Sequence, residues 1–271
     1  MPKASPNPIY FIPVEDKTVI YAPHKPMTFI GNDAMVQWIK RWQQDPHNMP
    51  EDDTKSLLQR IGFFSPDQRI VPTFADDKPF KPTIAVLLLT TACNLNCIYC
   101  YASAGMTQGK FLSLETGKQV IDQVCQNAID LQKNKFSLSL HGGGEPTVAA
   151  PLMQELVHYA HTRKLPCSIS LTSNGYFTEK QAEGLLWGIS EVSLSFDGMA
   201  EIQNRQRPGA GGQPSFDRVF ATLKAIEKLG IPYGIRMSVM DDSIEYLPKN
   251  IQFFCENTRC NVFQVEPVFN S

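Results

Sequence analysis

The sequence has no excess of charge of either sign, no long apolar run, no internal repeat and no low-complexity segment. Its 25 Lys and Arg stand against 27 Asp and Glu, which removes any global electrostatic case for a nucleic-acid or anionic-membrane partner. No run of about 18 apolar residues occurs, and the N-terminus, MPKASPNPIYFIPVEDK, has no continuous apolar signal core. Neither a membrane span nor secretion is expected, and a cytoplasmic location is. Cysteine is sparse and odd in number, seven in 271 residues, in a chain too long to depend on disulfide staples. That pattern favours a reducing compartment in which some thiols serve metal or redox chemistry. Cys125, Cys167, Cys255 and Cys260 are scattered and read as small core fillers. What is present is an ordinary globular composition, 42% hydrophobic, enough to fill one large α/β domain or two smaller ones.

Two regions differ in texture. From Ile9 to Phe64 the pattern predicts short strands at Ile9 to Val14, Thr18 to Tyr21 and Met27 to Ile30, then a helix from Asn32 or Asp33. Met35, Trp38, Ile39 and Trp42 fall on one stripe of that helix, so the tryptophans read as core. A second helix is expected from Asp53 to Ile61. Residues 1–64 are thus a small N-terminal α+β domain. Residues 65–82 carry Pro66, Pro72, Pro79 and Pro82 and read as a linker.

From 83 to 271 strands and helices alternate, with six strands in TIAVLLL, FSLSLHGGG, SISLTSNG, EVSLSFDG, YGIRMSVM and NVFQVEPV. Such alternation implies a parallel sheet with right-handed crossovers. The segment is too short for an eight-stranded barrel of about 250 residues, so a partial six-stranded (β/α)6 TIM-like barrel is predicted, with a doubly wound sheet as the alternative. TIAVLLL, continuously apolar, is expected to be buried on both faces. In the intervening helix LETGKQVIDQVCQNAIDLQ, Val120, Val124, Ala128 and Leu131 fall on one side.

In parallel βα folds ligands bind at the C-terminal ends of the strands. Here those ends read TTACNLNCIYC, HGGGEP, TSNG and SFDG. Singly, TSNG or SFDG is ordinary strand-terminating chemistry. Together the four put polar and glycine-rich segments on one rim. Cys93, Cys97 and Cys100 lie within eight positions with no fourth cysteine beside them. Three thiolates can hold a [4Fe–4S] cube with one iron open, or, with His141, a Cys3His zinc site. The residues alone leave these two open. On the fifth strand Arg236 and Ser238 share one face, and on the sixth Gln264 and Glu266 do; either a polar barrel interior or a solvent-facing edge accounts for that.

The spacing Cys93-x3-Cys97-x2-Cys100 with Tyr99 before the last cysteine resembles the cluster loop of the radical S-adenosylmethionine (radical SAM) enzymes. GGGEP resembles that family's Gly-Gly-Glu element. SFDG, with Arg207 twelve residues beyond Ser195, is similar to the subgroup of anaerobic sulfatase maturases and peptide maturases. The resemblance covers about Thr83 to Val268. It implies that Cys93, Cys97 and Cys100 ligate a [4Fe–4S] cluster and that S-adenosylmethionine binds the open iron and is cleaved to a hydrogen-abstracting 5′-deoxyadenosyl radical. Tyr99 would contact the cofactor near its adenine. Gly142, Gly143 and Gly144 would admit its ammonium group, supported by Glu145. Ser195 would bond its ribose or methionyl end, and Arg207 would pair with its carboxylate. Ser173 and Asn174 are further candidates for the same pocket.

Peptide and sulfatase maturases of this subgroup carry a cysteine-rich C-terminal extension, SPASM, that has no counterpart before Ser271, so a longer native chain is expected. The resemblance also implies a one-electron donor such as flavodoxin or ferredoxin and a peptide or protein substrate. The layout of residues 9–64 loosely resembles winged-helix domains that capture leader peptides as an added strand; a packing or lid domain is the competing reading. A radical SAM enzyme acting on a small molecule, and a zinc-stabilised non-catalytic binding protein, are the alternatives to a peptide-modifying enzyme.

Overall fold

The computed structural model describes residues 9–25, 27–66, 79–104 and 109–268. The chain divides into two compact units, Met1–Lys78 and Pro79–Ser271. Most of the Pro-rich segment expected to be a linker lies outside the described residues.

In the first unit β1 (Tyr10–Val14), β2 (Lys17–Ala22) and β3 (Met27–Gly31) form an antiparallel meander. Two helices follow, α1 (Asp33–Gln44) and α2 (Asp53–Arg60). Each starts where a side chain satisfies an otherwise unpaired backbone N–H: Asn32 accepts from Met35 N at 3.0 Å and Asp52 from Lys55 N at 2.9 Å. Asp52 also accepts from Trp38 Nε1 at 3.1 Å, which ties the two helices together. Trp38 is buried with Ile20, Ile39, Leu58 and Phe63, and Trp42 packs against them, as the stripe predicts.

The second unit holds six parallel strands: β4 (Ile84–Leu87), β5 (Phe136–Leu140), β6 (Cys167–Ser173), β7 (Glu191–Ser195), β8 (Tyr233–Val239) and β9 (Phe263–Pro267). They lie side by side in chain order. A doubly wound sheet would reverse its strand order at a switch point; this one never does, so it is the partial barrel. Helices α3 (Leu114–Asp130), α4 (Ala150–His161), α5 (Glu179–Leu185), α6 (Ala200–Gln206), α7 (Phe216–Leu229) and α8 (Leu247–Asn257) fill the crossovers. On β5 and β6 the apolar residues Phe136, Leu138, Leu140, Ile169 and Leu171 are buried in the main core, while Ser137, Ser139, Ser168, Ser170 and Thr172 between them are half-buried. No described helix is long and apolar enough to cross a membrane.

Two expectations need correction. β4 is not buried on both faces: Ile84, Val86 and Leu88 are 63%, 49% and 53% exposed, while Leu87 and Leu89 are in the core. β4 is a terminal strand of an unclosed sheet, so its concave face has no opposing strand. On α3 the buried stripe is Ile121, Val124, Cys125 and Ala128, turned slightly from the side that Val120 and Leu131 share, and Leu131 is exposed. Cys125, Cys167 and Cys260 are buried as core fillers, but Cys255 is exposed.

Candidate active site

The loop after β4 is held on two sides. On one, Gly144 N donates to Thr90 O at 2.8 Å and Glu145 N to Ala92 O at 2.9 Å, so the glycine turn after β5 runs against the start of the cysteine loop. Gly144 sits so close that a Cβ there would stand 2.0 Å from the Ala92 carbonyl oxygen. Gly142 and Gly143 have φ of 82° and 71°, the left-handed region that glycine enters without strain. On the other side, Asn96 N donates to Pro208 O at 2.8 Å and Ile98 N to Gln206 O at 3.0 Å. Leu95, 1% exposed, is the buried pin of the loop.

Glu145 is fully buried and braces the ends of β5 and β6. Its Oε1 accepts from Thr147 N (3.1 Å), Thr147 Oγ1 (2.8 Å) and Ser173 Oγ (2.7 Å), and its Oε2 from Asn174 N (2.7 Å). Burial raises its pKa above the ordinary carboxylate value, and the four donors work against that rise. Asn174 Nδ2 in turn reaches Asn94 Oδ1 at 2.8 Å and stands 3.6 Å from Cys93 Sγ. The hydrogen bonds of Glu145 and Ser173 are therefore spent on the protein.

Arg207, whose sequence context also fitted a surface loop, is 8% exposed and caps α6, a helix not foreseen in the sequence. Its Nη1 donates to Tyr99 Oη at 2.7 Å and lies 3.5 Å from Asp197 Oδ1, while Tyr99 Oη donates to Asp197 Oδ2. Ser238 N also donates to Asp197, at 3.0 Å. Burial raises the Asp197 pKa, with Arg207 opposing. Burial likewise raises that of Tyr99. Arg207 Nε is buried and has no partner among the described residues. That is an unmet donor on the edge of a guanidinium, the edge that takes a carboxylate.

The twelve residues singled out in the sequence come together. Cys93, Cys97, Tyr99, Cys100, Gly142, Gly143, Gly144, Glu145, Ser173, Asn174, Ser195 and Arg207 all line one cavity of about 410 Å³. Asp197 was missed: before a glycine at a strand end, a lone Asp carries the signal of a turn, and only its burial reveals the cluster it centres. Burial pushes Cys97 up to about 11, with Arg207 opposing, and raises Cys93, with the Leu95 N–H opposing. Both thiols are protonated at neutral pH, so binding a metal centre must displace protons. His141 lines a neighbouring cavity and not this one. Among the described residues no three His, Cys, Asp or Glu side chains converge as a single-ion site, so the Cys3His arrangement is not preformed. Three thiols lining one cavity with a glycine cradle and an unmet Arg207 donor fit a thiolate-held cluster with an amino-acid ligand beside it.

Residues 87–254 match the family model of the Radical SAM superfamily. The chain belongs to that superfamily. Among curated relatives, Fe-coproporphyrin III synthase of Methanosarcina barkeri is 32% identical over 178 residues, covering 65% of this chain and 41% of the relative. The sporulation killing factor maturation protein of Bacillus subtilis is 26% identical over 187 residues, covering 68% and 42%. The solved structure of anSMEcpe with bound AdoMet aligns with a TM-score of 0.61 at 23% identity, over 70% of this chain and 51% of that one. At that identity the likeness speaks for the fold. The chain spans less than half the length of these two curated relatives.

Proposed function

We propose that this radical SAM protein is an enzyme that abstracts hydrogen from a peptide or protein side chain. The observation that carries the enzymatic part is the single cavity that gathers the three thiols, the glycine cradle and the buried Arg207. Cys93, Cys97 and Cys100 would hold a [4Fe–4S] cluster. The backbone of Gly142 to Gly144 would receive the ammonium of S-adenosylmethionine, Arg207 Nε its carboxylate, Ser195 its ribose or methionyl end, and Tyr99 would stand near its adenine. When bound, cluster and S-adenosylmethionine supply reductive cleavage to a hydrogen-abstracting 5′-deoxyadenosyl radical. The chain's own residues bind, orient and exclude water. Asp197 and Tyr99 hold Nη1 of Arg207 and leave its other edge for the ligand. Glu145 and Asn174 fix the rim of the cavity without spending themselves on ligand.

The peptide reading draws on the maturation protein among the relatives and on the first unit, whose three-stranded sheet has edge strands β1 and β3 that pair with no other strand among the described residues and are able to receive an extended segment. A one-electron donor such as flavodoxin or ferredoxin would reduce the cluster. The small-molecule reading draws on the Fe-coproporphyrin III synthase. Isotope transfer separates the two. The reduced, reconstituted chain is given S-adenosylmethionine with either the deuterated polypeptide fraction or the deuterated small-molecule fraction of its host. Deuterium in 5′-deoxyadenosine from the polypeptide fraction alone is the expected result; deuterium from the small-molecule fraction alone contradicts the peptide reading.

A further inference from the structure

The concave face of the barrel sheet carries a second cavity, about 730 Å³, that the reading so far leaves unused. Strand alternation sets its chemistry. β5, β6 and β7 bury their apolar side chains in the core and turn Ser139, Ser170, Thr172 and Ser193 into the cavity; β8 adds Arg236. Thr172 and Arg236 line the thiol cavity as well, so the two spaces adjoin.

Among the described residues the hydroxyls of Ser139, Thr172 and Ser193 have no protein partner, and Ser170 Oγ reaches only Leu138 O, at 3.5 Å. The carboxylates nearby are committed or peripheral. Glu266 Oε2 accepts from Arg236 Nε at 3.0 Å and from Nη2, and its Oε1 from Gln264 Nε2 at 2.6 Å. Glu227 accepts from Tyr233 Oη at 2.6 Å and from Arg259 N and Lys224 Nζ. Glu191 is exposed at the first residue of β7. Arg236 makes its bonds through Nε and Nη2, which leaves Nη1 unspent. Beside Glu191 at the start of β7, the lumen thus offers hydroxyls and a guanidinium N–H. A carboxylate would meet the unspent Nη1 and hydroxyl donors, whereas an apolar group would strand the hydroxyls.

We propose that this lumen binds a carboxylate carried by the substrate, with Arg236 as the charged donor and the hydroxyls of the same lumen lining the rest of the bound group. The proposal rests on the reading of the chain as an enzyme with a substrate beside the thiol cavity. It deepens that reading by assigning a recognised group. Glu266, the internal partner of Arg236, competes for the same guanidinium, so the substrate carboxylate binds against an intramolecular rival.

Calorimetric binding to the full chain tests this without any turnover, using acetyl-Gly-Glu-Gly-amide, its Gln and Lys counterparts, and glutarate. The Glu peptide is expected to bind about fivefold more tightly than the Lys peptide, the scale of a half-exposed charge pair. Arg236→Gln should abolish that preference and Arg236→Lys should keep part of it. Glu266→Gln, which frees Arg236, should tighten the Glu peptide by about threefold, a gain that misfolding cannot produce. Equal binding of the Glu and Lys peptides, a preference that survives Arg236→Gln, or no gain in Glu266→Gln would overturn the proposal. Glutarate binding more tightly than the Glu peptide would uphold the carboxylate site and count against a peptide as its source. Because no S-adenosylmethionine is consumed, a failure here leaves the test by isotope transfer independent.

Discussion

At the scale of single residues, the site depends on atoms that have no room to change. Gly144 lies against the Ala92 carbonyl, so Gly144→Ala forces the glycine turn away from the cysteine loop. Overpacking of this kind costs about 1–3 kcal/mol, and a lower melting temperature together with loss of most bound iron is the expected outcome in reconstituted protein. Arg207→Lys keeps the charge but loses the planar fork. S-adenosylmethionine affinity should fall about tenfold, which is about 1.4 kcal/mol, as read by equilibrium dialysis. The thiols carry a pH signature. The Cys97 pKa, raised from 9.0 to about 11, means that the thiol form persists as pH rises and thiolate accumulates only near pH 11. In chain stripped of metal, alkylation of Cys97 at pH 8 should be about a hundredfold slower than that of free cysteine, measured by mass spectrometry of the labelled peptide; labelling at the free-cysteine rate would refute the burial argument. The three cysteines and the glycines were legible because spacing and residue type carry their chemistry. Asp197 was not, because its role arises from burial between Tyr99 and Arg207, residues 98 positions before it and 10 after it.

At the scale of elements, what could be read was what is local. The stripe on α1, the helix starts near Asn32 or Asp33 and at Asp53, and the strand segments of the barrel are patterns within a few residues, and those elements formed where the patterns place them. Two things were not local. α6 is seven residues long, and its buried residues Ile202, Gln203 and Gln206 include two amides, so no apolar period marks it. Gln203 becomes buried because its side chain meets Asp197 N at 3.0 Å and Ser215 Oγ at 3.1 Å. β4 reads as a doubly buried strand, yet its exposure is decided by whether the sheet closes, a property of all six strands. The cysteine loop is an element of this second kind, pinned by Leu95 against residues 206–210. Leu95→Ala leaves a hole under the loop and should cost about 2–5 kcal/mol, visible as a lower midpoint in thermal denaturation.

At the scale of the whole molecule, strand order turns a set of motifs into a site. Six parallel strands in chain order bring TTACNLNCIYC, GGGEP, TSNG and SFDG to one rim, and 12 side chains and glycines from those segments and the α6 end line one cavity. The family of the chain follows from its match over residues 87–254; the substrate contacts proposed in the lumen and the first unit carry no motif. The most direct measurement of the central claim is anaerobic reconstitution of the full chain, followed by assay of iron, sulfide and S-adenosylmethionine cleavage under dithionite. About four irons and four sulfides per chain, with release of 5′-deoxyadenosine that is lost in Cys97→Ser, is the predicted result; one tightly held zinc per chain and no 5′-deoxyadenosine would contradict it.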